Sequence, residues 1–288
     1  DYAFAGCTFV QNAVNAANVT KIGAHAFDGA DLRGEVDFSG VTELGDYAFA
    51  QNLNMKKITL GGVTKMGVGV FSVTSKNVNL MKPSLQEVIF GEGTTEIGDN
   101  AFEFIYVSSS ISADYEEYET REYSDRTSLT KVVIPASVTK IGEYAFVLCS
   151  SLKSDDMDLV NVKTVSGYAF IGCEELETLN LTSVETIGDE AFGLTTKLTD
   201  ANLPKAKTIG AYAFAGGGLS DLFIPSAEVI GTLAFTGTNL TSVTVPNQTQ
   251  LTYEEERTKV SESGRVEPAP GKHTLRYASG MLSDIPTL

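Results

Sequence analysis

Leu176-Glu177-Thr178-Leu179-Asn180-Leu181-Thr182-Ser183-Val184-Glu185-Thr186-Ile187-Gly188-Asp189-Glu190-Ala191-Phe192 holds one complete unit of this chain. The alternation Leu179-x-Leu181 reads as a short strand with one buried face. Its close, Ile187-Gly188-x-x-Ala191-Phe192, reads as a tight corner followed by a turn. That close recurs with its phenylalanine at Phe27, Phe49, Phe71, Phe102, Phe146, Phe170, Phe214 and Phe235, and Ala3-Phe4 opens the chain with a partial copy. Successive phenylalanines lie 23, 22, 22, 31, 44, 24, 22, 22 and 21 residues apart, so the unit is about 22 residues and two copies are lengthened. A period in this range means a solenoid whose units bury their apolar faces against each other.

The strand pairs equivalent to Leu179/Leu181 are Val36/Phe38, Ile58/Leu60, Val88/Phe90, Val132/Ile134, Met157/Leu159, Ala201/Leu203, Leu222/Ile224 and Val243/Val245. All run the same way relative to the Ala-Phe turn, which predicts one continuous parallel sheet on one face and short turns or helical turns opposite. The glycine suits a corner where a Cβ would clash or φ is positive. The alanine lets the turn approach its neighbour, and the phenylalanines are expected to stack through the interior from coil to coil.

The run Ile-Gly-x-x-Ala-Phe-x-x-Cys-x-x-Leu, as in Ala145-Phe146-Val147-Leu148-Cys149-Ser150-Ser151-Leu152 and Ala169-Phe170-Ile171-Gly172-Cys173-Glu174-Glu175-Leu176, resembles the BspA-type leucine-rich repeat over about 1 to 251. The resemblance implies an α/β leucine-rich-repeat solenoid, right-handed, here of about ten coils. It also implies a bacterial protein that is secreted or displayed at the cell surface. Some members of the family are adhesins for host matrix proteins or other cells. No catalytic residue and no cofactor comes with the resemblance.

Twenty-one basic residues against 37 acidic ones give a net charge of -16, which disfavours nucleic acid and anionic membrane as partners because both need cationic neutralisation. No apolar run approaches the ~18 residues of a membrane span. Asp1-Tyr2-Ala3-Phe4 repeats Asp46-Tyr47-Ala48-Phe49, so the chain opens in mid-repeat, and any signal peptide or N-terminal cap is expected to have lain upstream.

Cys7, Cys149 and Cys173 each stand three residues after an anchor phenylalanine, and that shared place predicts buried small residues. Adjacent coils would also bring Cys149 and Cys173 within disulfide range. The two histidines, His25 and His273, form no triad or zinc spacing. Ser137-x-x-Lys140 and Ser150-x-x-Lys153 lack the companion motifs of a Ser-x-x-Lys enzyme. Asn18, Asn180, Asn239 and Asn247 stand in sequons that matter only in a glycosylating cell.

Function is expected where the chain departs from its repeat. One insertion spans about 72 to 84 and a second about 103 to 128, both after the Ala-Phe turn and in consecutive units. The second carries Tyr106, Tyr115, Tyr118 and Tyr123 among seven acids, a recognition composition for a surface loop. Of the exposed strand positions Asp37, Thr59, Ile89, Val133, Asp158, Asn180, Asn202, Phe223 and Thr244, three are large and apolar. Ile89 and Val133 fall on adjacent rungs beside the insertions, and Phe223 stands apart. These residues are the candidate ligand-binding set; no catalytic or metal site is expected.

From Thr252 to Leu288 the repeat fails. This tail reads as a cap or a linker, with Leu275, Tyr277, Met281, Leu282 and Ile285 as its apolar contacts. The favoured function is a non-catalytic adhesion or protein-binding module, monomeric and without cofactors, whose partner is a protein or glycan on a host or neighbouring cell. A spacer solenoid displaying another domain is the alternative, and part of a larger surface enzyme the third.

Overall fold

The structure, a computed structural model, describes residues 1–7, 16, 18–75, 82–111, 117–123, 127–244, 250–260 and 266–276, the backbone alone at 75, 106–111, 117–123, 242–243, 250–260 and 266–276. The broad face carries β2 (Gly34–Phe38), β4 (Met55–Leu60), β7 (Glu87–Ile89) and β11 (Lys131–Val133) as one parallel sheet, and β15 (Asp200–Asn202), β17 (Asp221–Phe223) and β19 (Ser242–Thr244) as another. The expected single sheet is therefore broken in its middle. The coil from Phe146 to Phe170 has two residues more between its leucine (Leu152) and its strand than the coil before it, and Met157 forms only an isolated bridge with Ile134. Residues 177–181 lie outside any strand, although Leu181 is still buried. Side-chain burial keeps this rung in place without backbone pairing.

A second parallel ladder, not foreseen from the sequence, runs along the Ile-Gly corners. It comprises β1 (Lys21–Ile22), β3 (Glu43–Leu44) and β5 (Lys65–Met66), then β8 (Glu96–Ile97), β12 (Lys140–Ile141), β13 (Thr164–Val165), β14 (Thr186–Ile187), β16 (Thr208–Ile209) and β18 (Val229–Ile230). The corner glycines are required by contact rather than by torsion. A Cβ on Gly142 would lie 2.6 Å from the carbonyl carbon of Gly98 and 2.7 Å from the Asp99 nitrogen of the coil before.

Among the described residues there is no helix, so of the short turns or helical turns expected opposite the sheet it is the short turns that form. The torsions show why. The residue two before the anchor phenylalanine takes a left-handed φ, for example 54° at Tyr144 and 58° at Tyr168, and in most coils so does the residue two after it, 51° at Leu148 and 68° at Gly172. Two left-handed residues four apart leave no run of right-handed torsions for a helix. Each turn instead donates its backbone N–H groups to the next coil, as Phe146 does to the Ala169 carbonyl at 2.8 Å and Phe170 to Ala191 at 2.8 Å.

The phenylalanine rings form one stack from Phe4 to Phe235, with centroids 5.1–5.7 Å apart and planes within 15°. Phe146, Phe170 and Phe192 are fully buried, whereas Phe4 at the open end is 48% exposed. In several coils the residue three after the anchor is a polar side chain inside this core. Asn52 donates from Nδ2 to the Phe27 and Phe49 carbonyls at 2.7 and 2.9 Å, and its Oδ1 accepts from the Leu32 nitrogen at 2.9 Å. Thr195 and Thr238 donate to the carbonyls of Phe192 and Phe235 at 2.6 and 2.7 Å. Cys149 and Cys173 share the position as free, buried thiols; Cys7, also free, is exposed, contrary to expectation, because it sits in the incomplete first coil.

The insertions start where the second left-handed residue would stand. Val73 and Phe104 occupy that place, neither adopts positive φ, and a β-branched residue disfavours it. The chain leaves there extended, as β6 (Val73–Ser75) and β9 (Phe104–Ile111). β9 turns back antiparallel as β10 (Glu117–Tyr123), and β6 pairs parallel with β9, so the two insertions form one sheet in the order β10-β9-β6. Beyond the last repeat, β20 (Gln250–Val260) continues the corner ladder through Val229↔Thr252 and pairs antiparallel with β21 (Val266–Arg276). Leu275 lies in β21; Tyr277, Met281, Leu282 and Ile285 lie outside the described residues.

Candidate functional site

The chain runs from each insertion directly into a strand of the broad face, from β6 toward β7 and from β10 toward β11. Buried Val73, Phe104 and Ile105 root the insertion sheet in the solenoid. Within β9 and β10 the register sets Tyr106 opposite Glu122, Tyr118 opposite Ser110 and Tyr123 opposite Ile105. Tyr115 lies outside the described residues.

Ile89 and Val133 are directly paired across β7 and β11, with Thr59 of β4 on the far side of Ile89. Both are half-buried on the open face. Two residues earlier on the same face runs an ionic row. Lys57 Nζ lies 3.1 Å from Glu87 Oε2, Lys131 Nζ 3.7 Å from Glu87 Oε1, and Lys131 Nζ 3.1 Å from Asp156 Oδ2. The hydrogen bond that Lys131 donates to Asp156, with Glu87 beside it, holds the Lys131 ammonium above its ordinary pKa. The open face thus presents a paired charge row next to a short apolar row, on strands that follow the insertions in the chain. Phe223 is 40% exposed on β17, between Asn202 and Thr244, in the other sheet. The structure brings Ile89 and Val133 together and leaves Phe223 apart.

One feature escaped the sequence reading. The left-handed residue two before each anchor is Tyr2, His25, Tyr47, Tyr144, Tyr168 or Tyr212 in six repeats, and these form a surface stripe on the turns. Tyr2 stacks on His25 at 4.7 Å and His25 on Tyr47 at 5.1 Å, while His25 Nδ1 lies 2.9 Å from Asp28 Oδ2. Tyr144 stacks on Tyr168 at 4.6 Å; burial and the Glu190 carboxylate raise the Tyr168 phenol above its ordinary pKa. The recurring Tyr-Ala-Phe triplet was the signal available for it. His25 is stacked on both faces and Tyr144 and Tyr168 cover each other, whereas Tyr2 at the end of its stack is 64% exposed.

A shallow groove of about 560 Å³ follows the corner ladder, lined by Lys21, Glu43, Lys65, Glu96 and Lys140. Its charges alternate from coil to coil, with Lys21 Nζ 2.7 Å from Glu43 Oε1. Asp1, Asp46 and Asp99 line it as well, so its carboxylates outnumber its three lysines. Among the described residues no group of three or more His, Cys, Asp or Glu could hold a metal ion, and no helix is long and apolar enough to cross a membrane.

Short coils, parallel ladders and a continuous interior stack define a leucine-rich-repeat solenoid. The family described as the BspA type leucine rich repeat region matches the chain in six copies, over residues 1–114, 77–177 and 116–241. The chain belongs to this family. No curated protein matches it. Among solved structures it is similar to a leucine-rich repeat protein from Bacteroides ovatus, at 19% identity over 87% of this chain and 70% of that one, with a TM-score of 0.43. A leucine-rich repeat protein from Eubacterium ventriosum is 21% identical over 84% and 74%, with a TM-score of 0.38. A leucine rich cell surface protein from Faecalibacterium prausnitzii is 18% identical over 80% and 83%, with a TM-score of 0.27.

Proposed function

We propose that this chain is a secreted or surface-displayed, non-catalytic binding module that recognises a protein or glycan on a host or neighbouring cell. The observation that carries the reading is the joining of insertions from two successive coils into one sheet, β10-β9-β6, in the two coils whose strands bear Ile89 and Val133. A regular solenoid gains nothing in stacking from such a sheet, since each coil is already paired with its neighbours. Elaborated loops on a rigid scaffold are where recognition residues concentrate. Tyrosines among acidic residues supply contact area at low entropic cost and add selectivity for partners with cationic or hydrogen-bonding groups. The charge of -16 supports a partner other than nucleic acid.

The test is a binding screen against matrix glycoproteins and mucin-type glycans, with the intact chain beside a variant in which residues 106–126 are replaced by Asn-Gly. The intact chain binds and the shortened one does not. Equal binding by both moves the site off the insertion, and binding by neither favours a spacer solenoid.

A further inference from the structure

The insertion sheet ends on an unpaired strand. Among the described elements β10 packs only against β9, so one whole side of Glu117–Tyr123 is a free edge of about 24 Å at the usual rise per residue. A free edge is a template for another strand, and proteins normally blunt it. The other long edge, β21, is blunted. Pro268 and Pro270 stand two apart in it, opposite Thr258 and Glu256, and each lacks the N–H that an added strand would need. β10 contains no proline.

We propose that β10 pairs antiparallel with β10 of a second copy of this chain, about a two-fold axis at Thr120. The argument is its charge pattern. Opposed residues in a sheet point to the same face, so a two-fold axis normal to the sheet must set some residue opposite its own copy. Centring on Thr120 aligns all of Glu117-Tyr118-Glu119-Thr120-Arg121-Glu122-Tyr123 and puts Glu119 opposite Arg121 twice, Tyr118 opposite Glu122 twice, and Glu117 opposite Tyr123 twice. No like charges meet. Centring on Glu119 or Glu122 sets glutamate against itself, and centring on Arg121 sets arginine against itself. Centring on Tyr118 sets Glu117 against Glu119. Directly opposed like charges destabilise a strand pair and opposite charges stabilise it, so one register is selected. A parallel in-register pair would oppose every charge to itself. This pairing departs from the monomer expected from the sequence and does not rest on the ligand-binding reading.

Sedimentation equilibrium of the intact chain over a wide concentration range at ~150 mM salt tests it. The expected result is a reversible monomer–dimer equilibrium that E119R weakens by about tenfold or more, since two attractive pairs become two repulsive ones. R121E weakens it likewise, and the double swap E119R/R121E restores it to within about threefold of the parent. The ladder turns the N–H groups of 117, 119, 121 and 123 away from β9, so R121P abolishes the dimer by removing an edge donor, with unchanged thermal unfolding showing that the solenoid is intact. A chain that stays monomeric at every concentration overturns the proposal. So does a dimer indifferent to E119R and R121P, or a monomer whose edge instead takes up an extended (Lys-Thr)4 peptide.

Discussion

The thiol of Cys173 donates to the carbonyl of Phe146, one coil earlier, at 3.1 Å. It fills the place that Asn52 fills two coils after the start and Thr195 near the end, each giving a hydrogen to an anchor phenylalanine carbonyl. The cysteines are thus part of a row of buried donors, and their chemistry follows from burial.

Burial pushes the Cys149 thiol from an ordinary value of 9.0 up to about 12, and raises Cys173 well above its own. The folded state keeps protons that the unfolded state has released, so the contribution is whole below pH 9 and is lost as pH rises toward 12. The Cys149 thiol should then cost about 1.4 kcal/mol of stability per pH unit, to a limit of about 4 kcal/mol, and Cys173 adds a loss in the same direction. Denaturant unfolding of the parent and Cys149→Ala between pH 7 and 11 measures it, the variant showing the shallower decline. At pH 7.5 only Cys7 should alkylate in the native protein, and all three after unfolding without reductant.

Asn52→Ala leaves the Leu32 N–H without its acceptor and the Phe27 and Phe49 carbonyls without this donor. A loss of about 3 kcal/mol is expected. Asn52→Asp should be worse, because the carboxylate has no N–H to offer these carbonyls. Urea midpoints at constant m-value give the comparison.

Phe192 is fully buried, with rings 5.4 and 5.2 Å away on its two sides, while Phe4 is 48% exposed and has one neighbour at 5.1 Å. Phe192→Ala should cost about 3–5 kcal/mol and Phe4→Ala clearly less. Equal losses would refute a stacked interior spine.

Gly142→Ala drives a methyl into Gly98 and Asp99 of the preceding coil. The coils must part to admit it, at about 1–3 kcal/mol. Gly29→Ala is the control: its φ is 61°, but a Cβ there would meet nothing closer than 3.9 Å, so its cost is torsional alone, about 1 kcal/mol. Melting temperatures in the order parent, Gly29→Ala, Gly142→Ala are expected.

Replacing residues 106–126 by Asn-Gly should leave the melting temperature within a few degrees of the parent, because a surface excursion adds little to nearest-neighbour stacking. Extending the deletion through Phe104 and Ile105 should instead lower it sharply, since both side chains are buried beneath the sheet.

The repeat itself was fully legible. Ile-Gly-x-x-Ala-Phe at 22-residue spacing determines the unit, the buried faces, the interior phenylalanines and the place where each insertion departs, since all of these depend on residues close together in the chain. Val73 even marks one departure point, being a β-branched residue that resists the left-handed turn. What required the tertiary structure was pairing between coils. Whether Met157 keeps its ladder, whether two-residue corners bond into a second ladder, and whether β6 meets β9 depend on register between segments 20 to 40 residues apart. The free edge of β10 is likewise invisible in the sequence, because a strand is an edge only by virtue of what is not beside it.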